Sequence, residues 1–171
     1  MRIEATRLPL ITRTASFVMV LLAAPVLASD NTEGLDECLA SARELHEGLP
    51  IRWEVEDGTG HGFEIEVVAI DGRVWRSQCL PASGKASIVG RGLGIQDYAT
   101  MNARAKVAEQ DARNTVRTYF PGRFIEMVFD LTWRGGAIYT YTVVTPDDRE
   151  TSVEVDAASG RIVRSKSKAI D

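Results

Sequence analysis

Along residues 30–48, DNTEGLDECLASARELHEG, apolar side chains recur at Leu35, Cys38, Leu39, Ala42 and Leu45. That spacing predicts an amphipathic helix, with Asp30 or Thr32 as its N-cap and Gly48-Leu49-Pro50 as its stop. The period then drops to two. Ile51, Trp53 and Val55 alternate with Arg52, Glu54 and Glu56, and Phe63, Ile65 and Val67 alternate with Glu64 and Glu66. Alternation of this kind belongs to half-buried strands. Asp57 to Gly62, DGTGHG, is turn chemistry, and Asp71-Gly72 predicts a hairpin into a third strand over Arg73–Leu80. Pro81 to Gly84 turns the chain again. Ser87–Asp97, SIVGRGLGIQD, is Gly-rich without a period and reads as a connector.

The same programme then starts over. Met101, Ala105, Ala108, Ala112, Val116 and Tyr119 form a second stripe at helical spacing, stopped by Pro121. Strands follow over Phe124–Leu131, Ala137–Thr145 and Glu150–Asp156, and Ala157–Gly160 turns into Arg161–Arg164. Sliding the chain against itself by 76 positions places Phe63 on Tyr139, Val67 on Val143, Asp71 on Asp147, Cys79 on Val155 and Gly84 on Gly160. Upstream the register needs adjusting, because the loop before the second strand is longer in the second copy. The pattern predicts an α+β fold of two tandem repeats, each one helix on a three- to four-stranded antiparallel sheet. The repeats are assigned to residues 29–89 and 99–166, with a connector over 90–98 and a tail over 167–171. One continuous sheet and two separate lobes both satisfy this pattern.

The first 28 residues stand apart. Arg2, Arg7 and Arg13 precede an apolar run from Phe17 to Val26, and Val26-Leu27-Ala28 supplies small residues for cleavage. This reads as a secretory signal over residues 1–28, because the run is short of the roughly 20 residues that span a bilayer and contains Pro25. The whole chain has 20 basic and 24 acidic residues. Removing Arg2, Arg7, Arg13 and Glu4 leaves 17 and 23, a net charge of −6 on the mature chain. With no basic cluster, nucleic acid is not expected as a partner. A periplasmic or secreted location follows from the signal.

Export also bears on the two cysteines. Cys38 lies on the apolar face of the first helix and Cys79 stands where the second repeat has core-facing Val155, so both are expected in one helix–sheet interface. In an oxidising compartment they are expected to form a disulfide, with two buried thiols as the alternative. A bridge there could contribute about 3–4 kcal/mol by restricting the unfolded chain.

The strands FEIEVV and YTYTVV and the ending Val153–Val163, VEVDAASGRIV, carry a resemblance. Helix, strand, aromatic-x-apolar-x-Val strand, Asp-containing turn and V-x-V-D-A-x-S-G-R-I-V together resemble the PepSY domain, a family named after propeptides of secreted metallopeptidases. The second copy matches through Tyr139, Tyr141, Val143, Val153, Val155, Asp156, Ala157, Ser159, Gly160 and Ile162. The first departs where Leu80 and Pro81 replace the Asp-Ala pair. The resemblance implies a modulator outside the cytoplasmic membrane, often suggested to restrain peptidases, with no catalytic residues to transfer.

The remaining chemistry agrees with a non-catalytic reading. His46, near a helix end, and His61, in a Gly-rich turn, have no Ser or Cys nucleophile arranged with a triad partner. Glu54, Glu56, Glu64 and Glu66 share a strand face with Arg52 and Arg76, which predicts ion pairs rather than a metal site. The glycine strings at 58–62 and 90–94 lack the strand–helix context of a phosphate loop. No cofactor and no metal are implied. Trp53 and Trp75 are expected in the core. Trp133 with Arg134, in the loop WRGG, is the candidate partner contact, since exposed Trp and Arg anchor interfaces. The leading expectation is a binding protein that engages an envelope protein, such as a peptidase, through sheet edges or loop tips. The alternative is a small-ligand or metal-binding sensory module working with a membrane signalling protein.

Overall fold

Strands Gly48–Val55 (β1), Phe63–Ala69 (β2), Arg73–Leu80 (β3) and Lys85–Ile95 (β4) form one antiparallel meander. Arg123–Leu131 (β5), Ala137–Thr145 (β6), Arg149–Asp156 (β7) and Ile162–Ala169 (β8) form a second. The two share a single sheet of order β4-β3-β2-β1-β5-β6-β7-β8. The computed structural model describes residues 31–56 and 62–170. The leader and the β1–β2 turn carrying His61 lie outside these residues.

The join is antiparallel pairing of β1 with β5, in which Trp53 faces Met127, Arg52 faces Val128 and Glu54 faces Glu126. The chain is therefore one α+β body with an approximate two-fold axis near the Trp53/Met127 pair, and not two lobes. Repeat equivalence holds in detail. A β-bulge falls at Ile51 in β1 and at Ile125 in β5. Gly48 and Gly122 sit where an added Cβ would run into the carbonyl oxygens of Val68 and Val144. Twelve positions separate Trp53 from its partner Ile65, and fourteen separate Met127 from Tyr141. The longer β5–β6 loop thus accounts for the register change expected upstream.

Helix α1 is Leu35–His46, shorter than its sequence pattern, with Gly34 at φ 76° in place of a side-chain cap. Leu35, Cys38, Leu39 and Ala42 are buried, but Leu45 is 44% exposed. The second stripe is not one helix. It divides into α2, Tyr98–Arg104, capped by Asp97, and α3, Glu109–Tyr119. The break has a clear cause: Lys106 and Val107 both donate their backbone N–H to the carbonyl of Ala157 (3.0 and 2.9 Å), diverting two amides from a helical ladder. Tyr119 turns out to the surface.

Two further expectations are corrected. The Gly-rich connector is largely the edge strand β4, whose alternation is broken by two register shifts against β3. Gly92 packs so close to Val74 that a side chain there would collide, which is why glycine replaces the expected strand formers. The tail from residue 167 mostly belongs to β8, which runs to Ala169.

Helices cover one sheet face and bury Trp53, Phe63, Phe124, Met127 and Tyr141 completely or nearly so. Phe124 and Tyr141 meet edge to face at 5.9 Å, with Trp53 6.4 Å from each. Cys38 and Cys79 are bridged, with Cα atoms 5.7 Å apart, and pin α1 to β3. Trp75 is only half buried, and His46 lies flat against it at 4.9 Å.

Candidate functional site

Counting from Gly48 and Gly122, α1 and α3 are equivalent helices, and the residues that differ between them build the seam between the repeats. Leu35 corresponds to Glu109, Leu39 to Arg113 and Cys38 to Ala112. Where the first repeat has two leucines, the second has a buried ion pair: Arg113 is 2% exposed and Glu109 13%. Glu109 Oε1 accepts from Trp53 Nε1 at 3.1 Å and from the Tyr141 hydroxyl at 3.3 Å, and lies 3.4 Å from Arg113 Nε. Arg113 Nη2 reaches across to Asp36 of α1, as does Gln110 Nε2 at 2.7 Å. Arg117 Nη2 donates to Thr32 at 2.8 Å, and the Asn31 side chain pairs with both backbone groups of Phe124. The start of the first repeat is thereby strapped onto the second.

Burial sets the electrostatics of this seam. It raises the Glu109 carboxyl above its ordinary range, against the pull of Arg113 and the Trp53 hydrogen bond. Burial and then the nearby Glu109 push the Tyr139 phenol up to about 12 and raise Tyr141 well above its usual value. Glu109 Oε2 is buried with no partner among the described residues. Beside it opens a cleft of about 470 Å³ lined by Leu39, Arg43, Leu49, Lys106 and Tyr139. The sequence reading missed this pair, because Glu109 and Arg113 at i and i+4 look like a surface salt bridge. The signal that could have found it was the repeat itself, which aligns them with two core leucines.

The opposite, open face carries the expected mixed charges. Arg52 bridges Glu54 and Glu126 at 2.6 Å each, and Arg76 lies 3.7 Å from Glu64. Glu56 accepts from Gln78. Among the described residues no group of three or more His, Cys, Asp or Glu side chains is placed to hold a metal ion. His46 packs on Trp75, and burial lowers its pKa. Trp133 is 88% exposed at the β5–β6 turn with the Arg134 guanidinium 4.5 Å from its ring, so the structure presents both at a tip.

The two sheet edges differ. On β4, Ser41 of α1 accepts the backbone N–H of Ala86 at 3.0 Å, and α1 packs across to that strand. Thr115 is the counterpart of Ser41, but its hydroxyl turns back to the Asp111 carbonyl at 3.1 Å. Helix α3 packs mainly on β6 and β7. Beside β8 it leaves a groove of about 580 Å³ lined by Thr115, Tyr119, Phe120, Arg161 and Ile162.

Comparison with known proteins bears on the fold and the family. No curated protein matches the chain. Among solved structures, the crystal structure of a candidate lipoprotein from Clostridium difficile 630 superposes with a TM-score of 0.50 at 12% identity. The match covers 78% of this chain and 92% of that one, so the likeness is one of fold. No described helix is long and apolar enough to cross a membrane. Residues 106–166, from the α2–α3 link to the middle of β8, match the family described as "Peptidase propeptide and YPEB domain", and the second repeat of this chain is a PepSY domain.

Proposed function

We propose that this protein is an exported, non-catalytic binding module that restrains a peptidase or another envelope protein. The observation that carries the reading is the match of residues 106–166 to a domain described by peptidase propeptides. The leader-like first 28 residues and the Cys38–Cys79 bridge support export, since disulfides persist in oxidising compartments. Binding is assigned to the second repeat, through its uncovered edge and the Trp133–Arg134 tip. An extended segment added to a sheet edge gains backbone hydrogen bonds without any reactive group in the module.

The mature chain, immobilised and exposed to native envelope extract, is expected to retain a protein with peptidase activity. Free mature chain added to that fraction should lower the activity, and Trp133→Ala should do so less well. A retained fraction whose peptidase activity is unchanged by added chain would rule out peptidase restraint.

The unpartnered Glu109 oxygen beside the cleft favours a second reading, a small-ligand sensory module. Such a module should rise in melting temperature with a small polar metabolite pool, whereas a restraining module should respond only to its protein partner.

A further inference from the structure

We propose that the free edge of β8 is the docking edge, and that its occupant is an extended segment of the partner with carboxylates at alternating positions and apolar residues between. This rests on the binding reading above and specifies the chemistry of the partner.

Backbone geometry comes first. Ile170 donates its N–H to Asp148 O at 3.2 Å, just beyond the pairing of Arg149 with Ala169. Antiparallel ladders alternate, so Arg164, Lys166 and Lys168 also direct their backbone groups at β7. Ser165, Ser167 and Ala169 therefore present N–H and C=O outward. Among the described residues no side chain caps these groups as Ser41 caps Ala86 on β4. Seven of the eight residues of β8 are exposed.

Side chains then select the occupant. Arg164, Lys166 and Lys168 line the open face at every second position. The strand already paired with β8 shows what suits them: Glu154 lies 3.4 Å from Arg164 and Glu150 lies 2.9 Å from Lys168. Lys166 faces Ser152 and has no carboxylate partner among the described residues. A strand added outside β8 would meet this cationic row again, and carboxylates at alternate positions match it. On the helix face the same strand would lie over the small Ser165 and Ser167, beside the groove lined by Tyr119, Phe120 and Ile162. Apolar side chains fit there. A second copy of this chain fits poorly. Pairing β8 with β8 sets cations against cations, and the open-face positions Lys85, Ser87 and Gly90 of β4 offer no carboxylate.

The test uses the mature protein and a fluorescent, end-blocked nonapeptide of alternating glutamate and valine, with its lysine-for-glutamate counterpart as control. Anisotropy should show the acidic peptide binding at least about tenfold tighter than the basic one, with salt weakening it. Ser165→Pro removes an outward N–H from an edge strand without touching the β7 ladder, and should abolish binding. Lys166→Glu with Lys168→Glu should weaken the acidic peptide about tenfold and strengthen the basic one. Equal binding of both peptides, or full binding to the Ser165→Pro protein with its fold intact by circular dichroism, would overturn the proposal. If Ser165→Pro still restrains the captured peptidase, the edge assignment fails while peptidase restraint stands. If it binds no peptide and the wild type binds but restrains nothing, the reverse holds.

Discussion

The two repeats reach the same backbone by different means, and at the sheet edges the difference is that α1 reaches the edge strand of the first repeat while α3 packs mainly on β6 and β7 in the second. In the first, Leu35 and Leu39 fill the helix–sheet interface, Cys38 is bonded to Cys79, and α1 reaches the edge strand where Ser41 takes an amide. In the second, Glu109 and Arg113 replace the leucines, Ala112 and Val155 replace the cysteines, and Thr115 turns away from the edge. A sheet edge left uncovered invites pairing. On the proposed function the first repeat is the scaffold and the second the working copy, and a polar seam joins them.

Exchanging the parts of the two copies tests that comparison. The largest effect is expected at the seam. Arg113→Leu strands a buried carboxylate and should lower unfolding stability by about 3–5 kcal/mol in urea titration. Adding Glu109→Leu reproduces the first repeat's Leu35 and Leu39, and should recover most of the loss. A double variant no better than the single would show that the two helices are not equivalent.

The disulfide ranks next. Cys38→Ala with Cys79→Val installs the second repeat's own Ala112 and Val155, so packing should survive while the cross-link is lost. We expect a loss of about 3–4 kcal/mol. A loss below about 1 kcal/mol would mean that the bridge adds little to the restraint already present.

The paired glycines should respond alike. Gly48→Ala and Gly122→Ala each push a methyl against a strand carbonyl, and each should cost about 1–3 kcal/mol. A large cost at one and none at the other would break the β1/β5 equivalence.

The smallest effect is a slope. Because the folded Glu109 holds its proton more tightly than the unfolded chain does, the native state binds more protons between the ordinary glutamate pKa and the raised one. Its contribution is therefore full at low pH and is lost as pH rises through that window. Glu109→Gln should flatten stability against pH there. The first repeat, with leucine at this place, offers no such slope.

Much of this was legible in the chain. Strands β3 and β6 lie where alternation and turn residues place them: β3 keeps an unbroken register with β2 and β6 with β7, and every second residue of β6 from Ala137 to Val143 is buried. The bridge was legible from Cys79 standing on Val155. What escaped did so for physical reasons. Strand β4 hides because bulges and close packing at Gly92 erase its alternation. The α2–α3 break hides because it depends on one distant carbonyl, Ala157. Of the candidate site, Trp133 was visible as an exposed aromatic in a loop. The seam was not, because only tertiary contact tells a buried Glu–Arg pair from a surface one. The β8 edge was obscured by taking its second half for a tail.

Amide hydrogen exchange of the mature protein, with and without the acidic peptide, tests the central contrast most directly. Free, the Ser165 and Ser167 amides should exchange fast while Ala86 on the opposite edge is protected by Ser41; with peptide, Ser165 and Ser167 should slow and β4 should not change. Slow exchange at Ser165 and Ser167 in the free protein, or protection arising on β4 instead, would contradict a closed first repeat and an open second one.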